Sequence, residues 1–258
     1  MSRFFCAPNT YTPAGVWSAG HALLFAASLV LIALALYLSR RMSARAVRLV
    51  LRVSTLTLWV LELCKILFVL FSNGSRDPND FVPLYYCSLI LYAGAFSSLF
   101  GGCVRFLGDC FIATAGLVGG AVFLLFPTST LPYYPAWHFL SLHSFLLHAL
   151  MVYLGLLLLL RGIYRPVLRD IGYPAALISA CCALALAFNL IYDHLTGCAS
   201  ANLMFLSKDF PGTPVSLIYR LTGVFFTPFM WLAQAFLPFL LVLLCYRAAA
   251  YIQHRKTK

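Results

Sequence analysis

PLYYCSLILYAGAFSSLF, residues 83–100, is the segment on which the fold turns: counted as a membrane span it makes seven, and left out it makes six. It carries no charged residue. At ~1.5 Å per residue a helix of this length covers about 27 Å, just enough to cross the hydrocarbon core of a bilayer. Its leading stretch, FVPLYYCSL (81–89), sets a thiol, Cys87, about one helical turn inside the apolar segment.

Working outward, the rest of the chain has the same character. Hydrophobic residues make up 62% and charged residues 10%, and the mean hydropathy is +0.91, far above a soluble domain. Apolar spans are predicted at 17–38, 50–71, 83–100, 108–126, 136–160, 172–193 and 220–246. Backbone facing lipid must satisfy its own hydrogen bonds, so each span reads as a helix. The expected fold is an all-α, seven-helix polytopic membrane protein in a single bundle domain covering residues 1–258. The first sixteen residues lack a basic region ahead of a short apolar core, so they do not read as a cleaved signal peptide.

The net charge of +11 points to topology and not to nucleic acid, because the basic residues fall between apolar spans. The 1–2, 3–4 and 5–6 connections and the C-terminal tail hold 13 of the 18 lysines and arginines, the opposite side holds 4 (Arg3, Arg76, Lys208, Arg220), and Lys65 lies within a span. That asymmetry predicts the N-terminus outside and the C-terminus in the cytoplasm. The longest connection, 194–219, lies outside and reads as a plain loop, with a re-entrant cap around Leu203 to Leu206 as the alternative. Cys6 and Cys198 share that side, which permits a disulfide between them.

Depth then selects candidate chemistry. Counting from span boundaries, Cys87, His138 and Asn189 all fall within about 3–6 Å of the outer edge, and a thiol, an imidazole and an amide at one level are the parts of a cysteine nucleophile, its base and an orienting group. A second, deeper polar layer holds Glu62 and Lys65, three residues apart on one helix side, with His143 and His148. Glu62–Lys65 is read either as a structural ion pair or as part of a polar path through the bundle. His138, His143 and His148 recur every five residues, turning by about 140° each time, so they do not make a metal-binding stripe. No metal or cofactor is expected. A retinal-type Schiff base is excluded because the last span has no lysine.

The elements PLYYCSL (83–89), YPAWHFLSLHSFLLH (134–148), and Asn189 followed by GCASANLMFL (197–206) resemble the YwaF family of bacterial integral membrane proteins over roughly residues 20–245. The family's usual histidine two positions before the cysteine is Tyr85 here, and its outer Asn-aromatic-Met pattern is Asn202-Leu203-Met204. The YwaF family is similar in turn to a eukaryotic family that includes a transacylase acting on ether phospholipids through a cysteine and a histidine. By position these are Cys87 and His138. The resemblance implies a bacterial cytoplasmic membrane protein whose partners are membrane lipids, acting as a lipid acyltransferase or hydrolase. In that reading Cys87 attacks, His138 serves as base, Asn189 or Asn202 orients it or stabilises the oxyanion, and Tyr85, Tyr86, His148 and Asn202 line the substrate. The competing reading is a non-enzymatic transporter or lipid-handling protein built on Glu62, Lys65, His143 and His148.

Overall fold

The structure, a computed structural model, describes residues 3–71, 77–197 and 200–256. Among these residues there is no strand, and seven segments are long and apolar enough to cross a membrane: α1 Ala19–Ser39, α2 Ala44–Phe71, α3 Asn79–Leu99, α4 Gly102–Leu125, α5 Phe139–Leu160, α6 Leu168–Thr196 and α7 Pro214–Gln253. The seven-span reading holds. Cys198 lies outside the described residues, and with it the disulfide considered for Cys6.

The spans alternate in direction. The N-terminus, Cys87 and the 196–214 connection share one end; Arg40, Arg48, Arg161 and the C-terminal helix share the other, the arginine-rich end. α4 and α5 are the most buried spans and form the middle of the bundle, while α1 is the most peripheral, with Leu23, Leu31 and Leu38 facing out. Close approach at the centre depends on glycine. A Cβ on Gly120 would lie 2.8 Å from the His148 carbonyl oxygen, so α4 and α5 can cross here only without a side chain. Just before it, Ile112–Gly116 winds as a π-helical segment within α4.

Two boundaries differ from the hydropathy reading. α2 starts at Ala44 and α4 at Gly102, several residues earlier than predicted, so Arg45, Arg48 and Arg105 belong to helices and not to loops. The reason is a partner that hydropathy does not weigh. Arg48 on α2 makes a two-pronged ion pair with Asp109 on α4, 2.7 Å on each prong, and Ser97 on α3 donates to the same carboxylate at 2.6 Å. Beside it Arg52 donates to the Ser98 carbonyl at 3.2 Å. A carboxylate within a span is expected to face the bundle interior, and Asp109 does, only 4% exposed.

The 194–219 connection is not a plain loop. Ala201, Leu203, Met204 and Leu206 are fully buried, and the segment dips between α6 and α7 as a cap. Asn189 on α6 grips Leu203 from both sides: its amide donates to the Leu203 carbonyl (3.2 Å) and its Oδ1 accepts the Leu203 N–H (2.9 Å). From α7, Gln234 donates to the Met204 carbonyl (2.9 Å) and Thr227 to the Leu206 carbonyl (2.7 Å). Asn189 and Gln234 each sit seven or eight residues inside their helices, so the cap descends about 10–12 Å. Met204 and Phe205 adopt φ of +59° and +51°, a costly left-handed backbone that persists because these four bonds over-determine it. Burial of the LMFL run supplies the driving force that a solvent-facing loop would lack.

Candidate functional site

The site is built around the entry to α3, which is not helical throughout. A single turn at Pro78–Phe81 is followed by a tight turn across Pro83, where the Leu84 N–H donates to the Val82 carbonyl at 2.8 Å, an extended Tyr85 (φ −92°, ψ 158°), a 3-10 turn at Tyr86–Ser88 holding Cys87, and regular α-helix from Leu89. Pro83 has no N–H to give an α-helix, and its carbonyl is taken up by the Tyr92 hydroxyl at 3.1 Å. Cys87 is half-buried against the core, and among the described residues its thiol has no hydrogen-bond partner.

Tyr86 fixes the depth of this turn. Its hydroxyl donates to the Ala115 carbonyl at 3.3 Å, and its ring covers Gly119, where a Cβ would meet Tyr86 Cε1 at 2.9 Å and Met151 Cε at 3.6 Å. The Tyr86 ring therefore reaches the level of Gly119 on α4, beside the end of the Met151 side chain from α5. His138 is thirteen residues before Met151, about 20 Å along the helix axis. The boundary count that put Cys87 and His138 at one level assumed a helix from Pro83 onward.

His138 has a different task. It is the N-cap of α5, where Nδ1 accepts the Leu140 N–H at 3.1 Å, and its Nε2 donates to the Cys6 carbonyl at 3.1 Å. A carbonyl can only accept, so the proton sits on Nε2 and the ring is neutral, with both nitrogens engaged. Its ring stacks on Tyr134 at 4.3 Å and meets Phe68 edge-on. Neither nitrogen is free to take a thiol proton. The structure thus does not bring the proposed catalytic set Cys87, His138 and Asn189 together: His138 ties the N-terminal segment to α5, and Asn189 holds the cap.

Of the residues expected to line a substrate, Tyr85 and Asn202 meet through Asn79, a residue the sequence reading passed over. Tyr85 donates its hydroxyl to Asn79 Oδ1 (3.0 Å), which also accepts the Asn202 N–H (2.8 Å), and the Tyr85 ring lies 5.1 Å from that of Phe205 in the cap. Asn202 Oδ1 accepts the N–H groups of Ser207 and Lys208, both at 3.1 Å. Lys208 is paired with Asp193. The cap thus roofs the segment that leads into Cys87.

The deeper polar layer does assemble. Lys65 Nζ lies 2.6 Å from Glu62 Oε1, and Glu62 is 2% exposed. His143 and His148 lie on α5, which packs against the α2 helix that carries this pair. His143 is buried with neither ring nitrogen hydrogen-bonded; the Leu61 carbonyl is nearby without hydrogen-bond geometry. His148 donates from Nδ1 to the Ser144 carbonyl at 2.6 Å and stacks on Phe123 at 3.6 Å. That donation leaves Nε2 as the lone-pair nitrogen, and it is buried with no partner. His148 is three residues, about one turn, from Met151, whose side chain ends beside the ring of Tyr86, the neighbour of Cys87 in sequence. Among the described residues no group of three His, Cys, Asp or Glu is placed to hold a metal ion.

The described residues thus hold seven apolar spans, a cap over the segment that leads into Cys87, and three buried imidazole nitrogens without partners. No curated protein and no solved structure matches the chain. The sequence model of the TMEM164 family matches residues 16–247, from just before α1 into the last span, and the chain therefore belongs to the TMEM164 family of membrane proteins.

Proposed function

We propose that this protein is a membrane-embedded acyl-lipid transferase or hydrolase in which Cys87 is the nucleophile and His148, in place of His138, is the base. The observation that carries the reading is the lone pair of His148 Nε2, buried and unpartnered about one turn from Met151, the α5 residue that meets the ring of Tyr86 beside Cys87. A buried nitrogen base left without a partner is costly and uncommon, and such groups concentrate where chemistry is done. The resemblance to the YwaF family and, through it, to cysteine-dependent lipid acyl transfer supports the same class.

In the proposed cycle Nε2 takes the thiol proton and Cys87 Sγ attacks the ester carbonyl carbon. The carbon–oxygen ester bond breaks, the imidazolium returns the proton to the departing lipid hydroxyl, and the acyl chain remains as a thioester. A second hydroxyl, of a lipid or of water, gives its proton to Nε2 and attacks the thioester, restoring the thiol. By the positive-inside rule we place the arginine-rich end in the cytoplasm, so the segment that carries Cys87 enters a bacterial cytoplasmic membrane from its outer side.

The test is purified protein in liposomes containing an acyl-labelled phospholipid, with labelled product followed by mass spectrometry. Wild type should transfer the chain and Cys87→Ala should not; an acyl-reactive probe should label Cys87 in wild type and much less in His148→Ala. Full transfer by Cys87→Ala overturns the reading. A second reading has its own observation: His143, with both nitrogens unpartnered beside Glu62–Lys65, fits a polar path through the bundle. Lipid composition unchanged by deletion, together with solute or proton flux lost in His143→Ala, would favour it.

A further inference from the structure

Away from the thiol, a cavity of about 500 Å³ opens at the Cys87 end between the N-terminal segment, the end of α4 and the start of α7. Its walls differ in kind. One is aromatic: Trp17 and Phe126 stand edge to face with centroids 5.4 Å apart. The other is polar, with Thr128, Ser216 and Arg220. Leu217 completes it on the side that faces lipid, where the apolar surface continues over Leu221, Val224 and Phe225, all more than 70% exposed.

Three features make this more than a surface dip. Trp17 holds φ at +62°, a backbone state that bulky residues rarely adopt, fixed by its N–H donating to His21 Nδ1 at 3.1 Å, and its indole is left 68% exposed. A strained backbone presenting an exposed tryptophan at a cavity mouth calls for an occupant. Arg220 lies one helical turn from Ser216 on the same face, and among the described residues no carboxylate pairs with it. Behind Ser216, which donates to Asp209 Oδ2 at 3.2 Å, the other carboxylate oxygen of Asp209 is buried and unpartnered. The site therefore holds a free cation and an aromatic wall.

We infer that this cavity binds a zwitterionic phospholipid. The phosphate sits on the Arg220 guanidinium, the headgroup ammonium lies against the Trp17–Phe126 rings as a cation–π contact, and the acyl chains run along Leu217 and Leu221. A purely anionic lipid would satisfy Arg220 but leave the aromatic wall unused. The volume lies within the range of ordinary ligand pockets and suits a headgroup with its glycerol. This site is independent of the thiol chemistry.

The experiment uses the purified full chain with a photoactivatable phosphatidylcholine, mapping crosslinked peptides by mass spectrometry. Labelling should fall on residues 14–20 and 213–221, short-chain phosphatidylcholine should compete, and Cys87→Ala should leave labelling unchanged even if the catalytic reading fails. Arg220→Gln should weaken competition about tenfold, the scale of one charge-assisted hydrogen bond, and Trp17→Ala should weaken it by several-fold. Both residues are exposed, so both variants should fold; Leu217→Trp, which fills the groove from its lipid side, should block labelling without touching either charge. Equal competition by phosphatidylglycerol or by inorganic phosphate would overturn the zwitterionic assignment, and labelling indifferent to all three substitutions would overturn the site.

Discussion

Two buried polar clusters sit at different levels of the same bundle, and they are finished differently. At the arginine-rich end, Arg48, Asp109 and Ser97 satisfy one another, with both carboxylate oxygens of Asp109 engaged by short bonds from α2 and α3. In the layer nearer Cys87, Glu62 and Lys65 pair, but His143 and His148 leave three ring nitrogens buried without partners. A completed network locks helices together. An incomplete one is tolerated at a cost of about 1–3 kcal/mol per orphaned group, and function is the usual reason for it. The comparison thus assigns structural work to the first cluster and reserves the second for chemistry.

The sharpest way to break that assignment is to remove the unpartnered base. His148→Ala should lower acyl transfer by about 10²–10⁴-fold with folded yield near wild type, and Cys87→Ala with His148→Ala should be no worse than Cys87→Ala alone, because the two act as a unit. Losses that multiply would separate them. Next in size is the completed cluster: Asp109→Asn should leave Arg48 unpaired and cost about 3 kcal/mol in a thermal or denaturant unfolding measurement, the lower end for a buried pair because Arg48 is 26% exposed. Unchanged stability would mean that the network does not lock α2 to α4.

Smaller effects are expected where backbone is held. Asn202→Ala should orphan the Ser207 and Lys208 N–H groups and destabilise the cap by about 2 kcal/mol, seen as faster hydrogen exchange across residues 200–208. Smallest is His138→Ala, which removes an N-cap and the link to Cys6 and should cost about 1 kcal/mol with acyl transfer retained. A well-folded His138→Ala protein without activity would return His138 to the role of base and erase the contrast with His148.

The two histidines also show where reading from sequence stops. Both lie in one stretch, YPAWHFLSLHSFLLH, and nothing in the stretch says which nitrogen will be occupied. Neighbours decide that: Cys6 arrives at His138 from 132 residues away, and Phe123 stacks on His148 from α4.

What the sequence determined by itself was the class, the number of spans and which basic residues gather at one end. Those follow from hydropathy and bilayer thickness, which are properties of residues taken singly or in short windows. It also pointed to Cys87 and to the Glu62–Lys65 pair, since polar groups are rare in such spans. Only the tertiary structure decided which groups meet. The N-terminal segment and the start of α5 took up both ring nitrogens of His138, the apolar run Leu203–Leu206 folded back as a cap because Asn189 and Gln234 could hold its backbone, and Asp109 drew Arg48 into a helix. Each depends on axial register and helix rotation against distant neighbours, and neither quantity is present in a local window of sequence.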